Sequence, residues 1–396
     1  MKYLRKFNTS SEYNSFIEST SDYPNVCLIT EDGSVAYNPP PPLPLYVEAI
    51  DTIRVTFNNY YEYSKDNRTW EEGTSSSSVS ASAGERVYLR SSSLTESSGY
   101  GIGAISIGSG RCNLGGNVMS MAYGANFNGR NELTQPYQFR GLFAQNDSNK
   151  KNIIDASSLV LPATTLTEGC YYEMFGNNAA MIAVPELPAT TMGNSCYGNM
   201  FYKCASLVNA PELPATTLAE SCYNSMFQGC TSLLNAPMLP AIVLAKKCYQ
   251  YMFRECSSLT DAPALPATTL ASYCYYYMFR ECTSLVNAPA LPATELKGDC
   301  YGGMFYGCTS LVAAPELPAT NLVLSSACYS AMFSGCSKLA YIKAMFTTTP
   351  SSTYMGNWVK GVASSGTFVK NSAATWADSF GVSAIPSGWT VETADA

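Results

Sequence analysis

Cys274 and Cys282, in CYYYMFRECTSLVNAPALPATEL, stand eight residues apart, and the same pair recurs upstream as Cys248/Cys256 and Cys222/Cys230, at a period of 26 residues. Cysteines at fixed spacing can hold a metal, bridge as disulfides, act as nucleophilic thiols or fill a core. The chain has 15 cysteines and no histidine. The commonest metal ligand and the usual general base are therefore missing. Neither a Ser-His-Asp nor a Cys-His arrangement can be built.

A second group of residues could bind rather than react. Positions two, three and six after the first cysteine of each unit vary: Gly198/Asn199/Tyr202, Asn224/Ser225/Gln228, Gln250/Tyr251/Arg254, Tyr276/Tyr277/Arg280 and Gly302/Gly303/Tyr306. Tyr, Ser, Gly, Asn and Arg are the composition of adaptable binding surfaces. The candidate ligand-binding residues are Tyr202, Tyr251, Arg254, Tyr276, Tyr277, Arg280 and Tyr306. The tyrosine after each first cysteine (Tyr171, Tyr197, Tyr223, Tyr249, Tyr275, Tyr301, Tyr329) never changes and reads as packing. Glu255 and Glu281, beside the arginines, read as partners in weak surface pairs. The loops around 58–69 are a further binding candidate. A glycosidase would need a carboxylate pair at a defined separation. Glu186, Glu212 and Glu316 occupy one repeated slot and read as solvated surface, so an enzyme is not expected and neither is a cofactor or a metal.

These residues sit in a tandem repeat over 159–338, with CY pairs at Cys170, Cys196, Cys222, Cys248, Cys274, Cys300 and Cys328. Seven stacked rungs follow, each burying its face against its neighbours. In ATTLAESCYNSMFQGCTSLLNAPMLPA, Thr217 and Glu220 have capping-box spacing. Leu218, Cys222, Tyr223, Met226, Phe227 and Cys230 fall on one broad helical face, and Gly229 can end a helix. The prolines of SLLNAPMLP leave only a short extended segment. The expected rung is one helix and one short strand. Eight helical residues span roughly 12 Å, which rules out a bridge within a unit. Stacked columns do not converge on a tetrahedral metal site. Buried free cysteine behaves as a small hydrophobe. Core packing is the favoured reading, with disulfides between adjacent rungs as the alternative. The first unit has Asn178 in place of its second cysteine.

Upstream, AIDTIRVTF and ERVYLR alternate as strands between Ser/Gly/Asn linkers, so 45–140 reads as a small all-β sandwich. YSKDNRTW (63–70) is one residue short of a sialidase-type box and reads as a β-turn over Trp70. PPPPLP (39–44) is a polyproline spacer, and Asp32-Gly33 marks a hairpin in the segment 1–38. The expected order is an attachment segment 1–38, a linker 39–44, a β-sandwich 45–140, a repeat solenoid 141–346 and a C-terminal cap 347–396.

The net charge is −7 with 13% charged residues, so no basic footprint for nucleic acid is present. No apolar run is long enough to cross a membrane. The N-terminal twenty residues lack a signal-peptide core, which favours synthesis in a reducing cytoplasm and release by a route such as phage lysis.

The MF-x-x-C-x-SL core resembles the signature of BspA-like leucine-rich repeats, and the unit with LPATTL is similar to a 26-residue variety from gut Bacteroidales and their phages. The segment 357–391 resembles the ending that follows such repeats, with Trp358, Trp376 and Trp389 covering the last rung. The N-terminal KYLRKFNTSSEYNSF…YPNVCLITEDGSVAYNP is similar to the starts of virion and fibre proteins of crAss-like and related Bacteroides phages. The resemblance implies an α/β leucine-rich-repeat solenoid in a non-enzymatic virion fibre or appendage protein. Residues 1–44 would join other virion proteins, and the repeats would meet a host surface glycan or protein. A homo-oligomer is implied by analogy alone, since no heptads occur. The alternative is a bacterial cell-surface adhesin.

Overall fold

The computed structural model describes residues 27–29, 35–37, 42–57, 59, 61–75, 77–91, 102–133, 135–145, 152–322 and 326–394. Most of the expected attachment segment lies outside the described residues, as does the Asp32-Gly33 turn. There β1 (Cys27–Ile29) pairs antiparallel with β2 (Val35–Tyr37). Met1–Leu43 and Pro44–Ala396 form two separate units.

The second unit opens with β3 (Leu45–Ala49), β4 (Ile53–Phe57), β5 (Tyr61–Ser64), β6 (Glu71–Gly73), β7 (Ser78–Ala81), β8 (Arg86–Ser91), β9 (Ile105–Ile107) and β10 (Cys112–Asn117). Period-two patterning decides which face is buried: in β4, Ile53, Val55 and Phe57 point inward while Arg54 is exposed. β7, β4 and β9 form a three-stranded sheet. A six-stranded sheet has the order β11-β10-β3-β8-β5-β6, where β11 (Ile153–Val160) pairs parallel with β10. Asp155 of β11 bridges in parallel to Ala183 in the first repeat, so sheet and repeats share one hydrophobic core.

The repeats are not helical. Among the described residues only two four-residue α-helices occur, α1 (Ser120–Tyr123) and α2 (Ser352–Met355), and neither lies in a CY unit. The expected α/β leucine-rich-repeat solenoid, with a helix in each rung, is therefore overturned. In its place, each CY…MF…C segment is a ribbon of tight turns.

The rung at 220–230 shows the rule. The N–H groups of Cys222, Asn224, Met226, Gln228 and Cys230 each donate to the carbonyl three residues back. The intervening N–H groups of Ser221, Tyr223, Ser225, Phe227 and Gly229 donate to Lys246, Cys248, Gln250, Met252 and Arg254 of the next rung. Ser221, Ser225 and Gly229 have φ of 57°, 54° and 77°, one left-handed residue in every four. An α-helix would keep its amides to itself. The ribbon gives half of them to its neighbour, and these inter-rung bonds offset the cost of the left-handed residues. Thr217 caps no helix and instead bridges in parallel to Val243. The SLxxAPxLPAT side of each unit meets its neighbour through such single parallel bridges, as at Asn209↔Asn235 and Asp261↔Asn287.

The interior is a set of columns. Phe143, Phe175, Phe201, Phe227, Phe253, Phe279, Phe305 and Phe333 stack at 5.6–5.8 Å. Phe139 and the seven invariant tyrosines stack at 5.7–6.0 Å. Phe139 and Phe143 belong to a turn rung at 135–145 without the repeat motif, whose amides bond to the rung at 168–178. At the other end, the rung at 326–336 donates to 353–360, and Trp358 closes both columns. Parallel strands β12 (Tyr341–Ala344), β13 (Thr367–Lys370) and β14 (Thr390–Thr393) complete that end.

Every cysteine from Cys112 to Cys336 is free and buried. The second cysteine of a unit donates its S–H to a phenylalanine carbonyl of the preceding rung, as in Cys230 Sγ to Phe201 O at 3.2 Å and Cys282 Sγ to Phe253 O at 3.0 Å. Asn178 makes the same bond with its amide, Nδ2 to Phe143 O at 2.9 Å. This column needs a small buried donor, and a thiol meets that need without burying a strongly polar group.

Candidate binding face

The turn ribbon leaves most of the variable side chains half-exposed on one outer face, because its four-residue period returns every fourth side chain to the same side, although Ser225 is buried. Tyr251, Arg254, Tyr276, Tyr277, Arg280 and Tyr306 form one contiguous cluster there. The Tyr251 ring stacks on Tyr277 at 5.9 Å and meets Tyr276 edge-on at 5.7 Å. Tyr276 and Tyr277 contact each other at 4.4 Å. The Arg280 guanidinium lies 5.2 Å from the Tyr277 ring and 4.9 Å from Tyr306. Arg254 lies 5.7 Å from Tyr251. All six side chains are partly exposed. Tyr202 shares the column of Arg254, Arg280 and Tyr306, but it lies two rungs before Arg254, against Lys203 at 5.2 Å.

The arginines are held in place by their own turns. Arg254 pairs with Glu255 at 2.9 Å and Arg280 with Glu281 at 3.0 Å. Exposed pairs of this kind add little stability, but here they fix each guanidinium beside an aromatic ring. Burial pushes the Tyr251 and Tyr276 hydroxyls above their ordinary value, so both stay neutral hydrogen-bonding groups at physiological pH. Flat aromatic faces beside fixed donors suit recognition of a ring-shaped or planar ligand.

Sequence reasoning missed several members of this face. Tyr273 packs edge-on against Tyr276 at 5.4 Å, and the neighbouring Asp299 carboxylate holds its hydroxyl up. Tyr137, Arg140 and Tyr172 extend the face towards the N-terminal rungs, with Arg140 lying 5.8 Å from Tyr137 and 5.4 Å from Tyr172. Tyr172 is the same repeat position as Tyr276, a signal present in the sequence. Tyr137 and Arg140 lie in the rung that lacks the motif.

Elsewhere, Glu186 and Glu212 are exposed, and Glu316 pairs with Lys343 at 2.9 Å. YSKDNRTW forms a turn in which Asp66 accepts the N–H groups of Arg68 and Thr69, and Arg90 covers the Trp70 ring at 3.9 Å. A shallow cavity of 180 Å³ at the C-terminal end is lined by Val359, Val362, Ser364, Val382 and Pro386 among others, none of them ionisable. Among the described residues, no group of three or more Cys, Asp or Glu is placed to hold a metal ion, and no helix is long and apolar enough to cross a membrane.

No protein-family model matches the chain, and comparison with curated proteins and with solved structures gives no match. The periodic aromatic columns mark it as a repeat protein with a 26-residue unit.

Proposed function

We propose that this chain is a non-enzymatic surface-binding protein, an appendage component of a Bacteroides phage particle whose stacked repeats adhere to the host cell. The supporting observation is the Tyr–Arg face: aromatic rings and ion-paired arginines gather where the repeats vary, on a scaffold whose interior columns are nearly invariant. The likeness to BspA-like repeat proteins and to phage virion proteins supplies the setting. Residues 1–44 join other virion proteins, the place of action is the particle outside the cell, and copy number on the particle multiplies weak single sites.

Two measurements test this. Purified particles analysed by peptide mass spectrometry contain the chain in many copies; recovery only from washed bacterial envelopes points to a cellular adhesin instead. Purified protein binds host cells, and the triple replacement of Tyr276, Tyr277 and Arg280 by alanine lowers that binding by at least about tenfold, as expected when a cluster of central aromatic and arginine contacts is removed. Unchanged cell binding by the triple variant sinks this assignment of the face.

A further inference from the structure

Four tyrosines of the outer face share a device found nowhere in the invariant columns. Each ring fills the space of a side chain that a glycine in the following rung lacks. A Cβ on Gly198 would come within 2.9 Å of the Tyr172 ring, and one on Gly302 within 2.9 Å of Tyr276. A Cβ on Gly303 would reach 2.2 Å from Tyr277, and one on Gly169 2.2 Å from Tyr137. The rings are thus laid over along the stack, each onto its neighbouring rung. They occur as two pairs, Tyr137/Tyr172 at the N-terminal rungs and Tyr276/Tyr277 further on.

Tyr172 and Tyr276 are four rungs apart, roughly 20 Å at about 4.8 Å per hydrogen-bonded layer. Between them the same columns carry no ring on a glycine but present the half-buried Asn199, Asn224 and Gln250, with Ser225 buried beneath them and donating to Asn224 Oδ1 at 3.0 Å, before Tyr251 joins the second aromatic group by stacking on Tyr277. These side chains bond along the strip: Asn199 Nδ2 donates to the Tyr172 hydroxyl at 2.6 Å and Asn224 Nδ2 to Gln250 Oε1 at 2.9 Å. The strip is therefore aromatic, then amide, then aromatic.

Its charge is balanced. Arg254 and Arg280 are paired with Glu255 and Glu281, and Arg140 and Lys203 share the first rungs with Glu168 and Glu173. Neither sign is concentrated enough to gather a polyanion or a polycation. Backbone recognition is closed as well, because the ribbon's N–H groups are spent on turns and on the next rung, leaving no edge for an added strand along this face.

We infer that the ligand of this face is an unbranched, neutral polysaccharide lying along the stack axis and held by two aromatic subsites, Tyr137/Tyr172 and Tyr276/Tyr277. This rests on the reading above that the Tyr–Arg face meets the host surface. Sugar faces pack on the rings, and the amides between serve the hydroxyls. One sugar unit of an extended chain advances by about the length of one rung, so an oligomer of about six units covers both subsites.

The full chain is applied to an array of linear neutral, branched and acidic bacterial polysaccharides, and calorimetry then follows a length series cut from the polymer it retains. Retention of a linear neutral polymer is expected, with affinity rising at least about tenfold between three and six units as the second subsite engages. Gly198→Ala displaces Tyr172 and should abolish that rise while leaving trimer binding intact. Gly302→Ala should weaken every length. Both glycines lie outside the left-handed region, so alanine does not strain the backbone. Retention of only branched or acidic polymers, or of none, overturns the inference, as does affinity independent of length or an unaffected Gly198→Ala protein. If cell binding still falls in the Tyr276/Tyr277/Arg280 variant, the binding face survives and only the ligand class fails. If it does not fall, the binding face itself fails.

Discussion

The cysteines that first suggest chemistry are, residue by residue, unsuited to it. Burial pushes the thiols of Cys170, Cys204, Cys222 and Cys274 up to about 12 from an ordinary value near 9. A thiolate is the reactive species, so these thiols are inert in the folded chain. Native protein at pH 8 should leave every cysteine from Cys112 to Cys336 unlabelled by a thiol reagent, and denatured protein should label all of them. Rapid labelling of one of them before unfolding would contradict its burial. The same shift sets a pH limit. A thiol whose folded value is raised contributes its full stability below the unfolded value near 9. That stability is lost as pH climbs towards about 12, because only the unfolded chain releases the proton. The buried tyrosine hydroxyls, also pushed upward by burial, act in the same direction above pH 10. Melting temperature should be flat up to about pH 9 and then fall steeply with each pH step. A flat profile to pH 11 would show that these groups reach solvent in the folded state.

At the scale of the element, the core positions were legible and the backbone was not. Cys222, Tyr223, Met226, Phe227 and Cys230 are all buried, as their spacing predicts. Their spacing of i, i+1, i+4, i+5 and i+8 also fits a four-residue turn ribbon. Over nine residues a period of 4 and a helical period of about 3.6 drift apart by less than one residue, too little to separate by apolar pattern alone. The discriminating signal lies in the left-handed positions, where Gly229, Gly303, Gly307 and Gly335 sit in columns that other rungs fill with Asn, Ser, Lys, Glu, Tyr or Ala. The rung at 135–145 was illegible because Gln138 and Phe139 stand where other rungs have Cys and Tyr; only its bonds to 168–176 reveal it. The tyrosines and arginines at the second, third and sixth positions are half-exposed in the ribbon, as a helix would also have left them, although Ser225 and Ser334 in the same columns are buried. Ser221 separates the two geometries. At φ 57° it already has the conformation that glycine takes without strain. Ser221→Gly should raise the melting temperature, with up to about 1 kcal/mol gained from relief of the left-handed residue. In a helix the same change would cost about 0.5 kcal/mol. A lowered melting temperature would therefore argue for a helical rung.

Across the whole molecule, stability is passed from rung to rung, since each layer bonds and stacks only with its neighbours. Such a stack is weakest at an end that lacks a cover. The N-terminal end is covered by the six-stranded sheet through β10 and β11. The C-terminal end depends on Trp358, which is fully buried and contacts Tyr329, Phe333, Phe346 and Phe368 at 6.0–6.4 Å. Its indole N–H donates to Ala384 O at 2.7 Å, tying the segment beyond it to the stack. Trp358→Ala should cost about 3–5 kcal/mol, from lost burial and the cavity left behind. The loss should be felt locally first. Hydrogen exchange should speed up at the amides of Tyr329, Ala331 and Phe333, which bond to the rung that carries Trp358. It should spread towards Cys300–Cys308 before it reaches the sheet of β3 and β8. Uniform acceleration across all rungs and the sheet would show instead that the unit opens as a single cooperative block, with the columns too strongly coupled to fray.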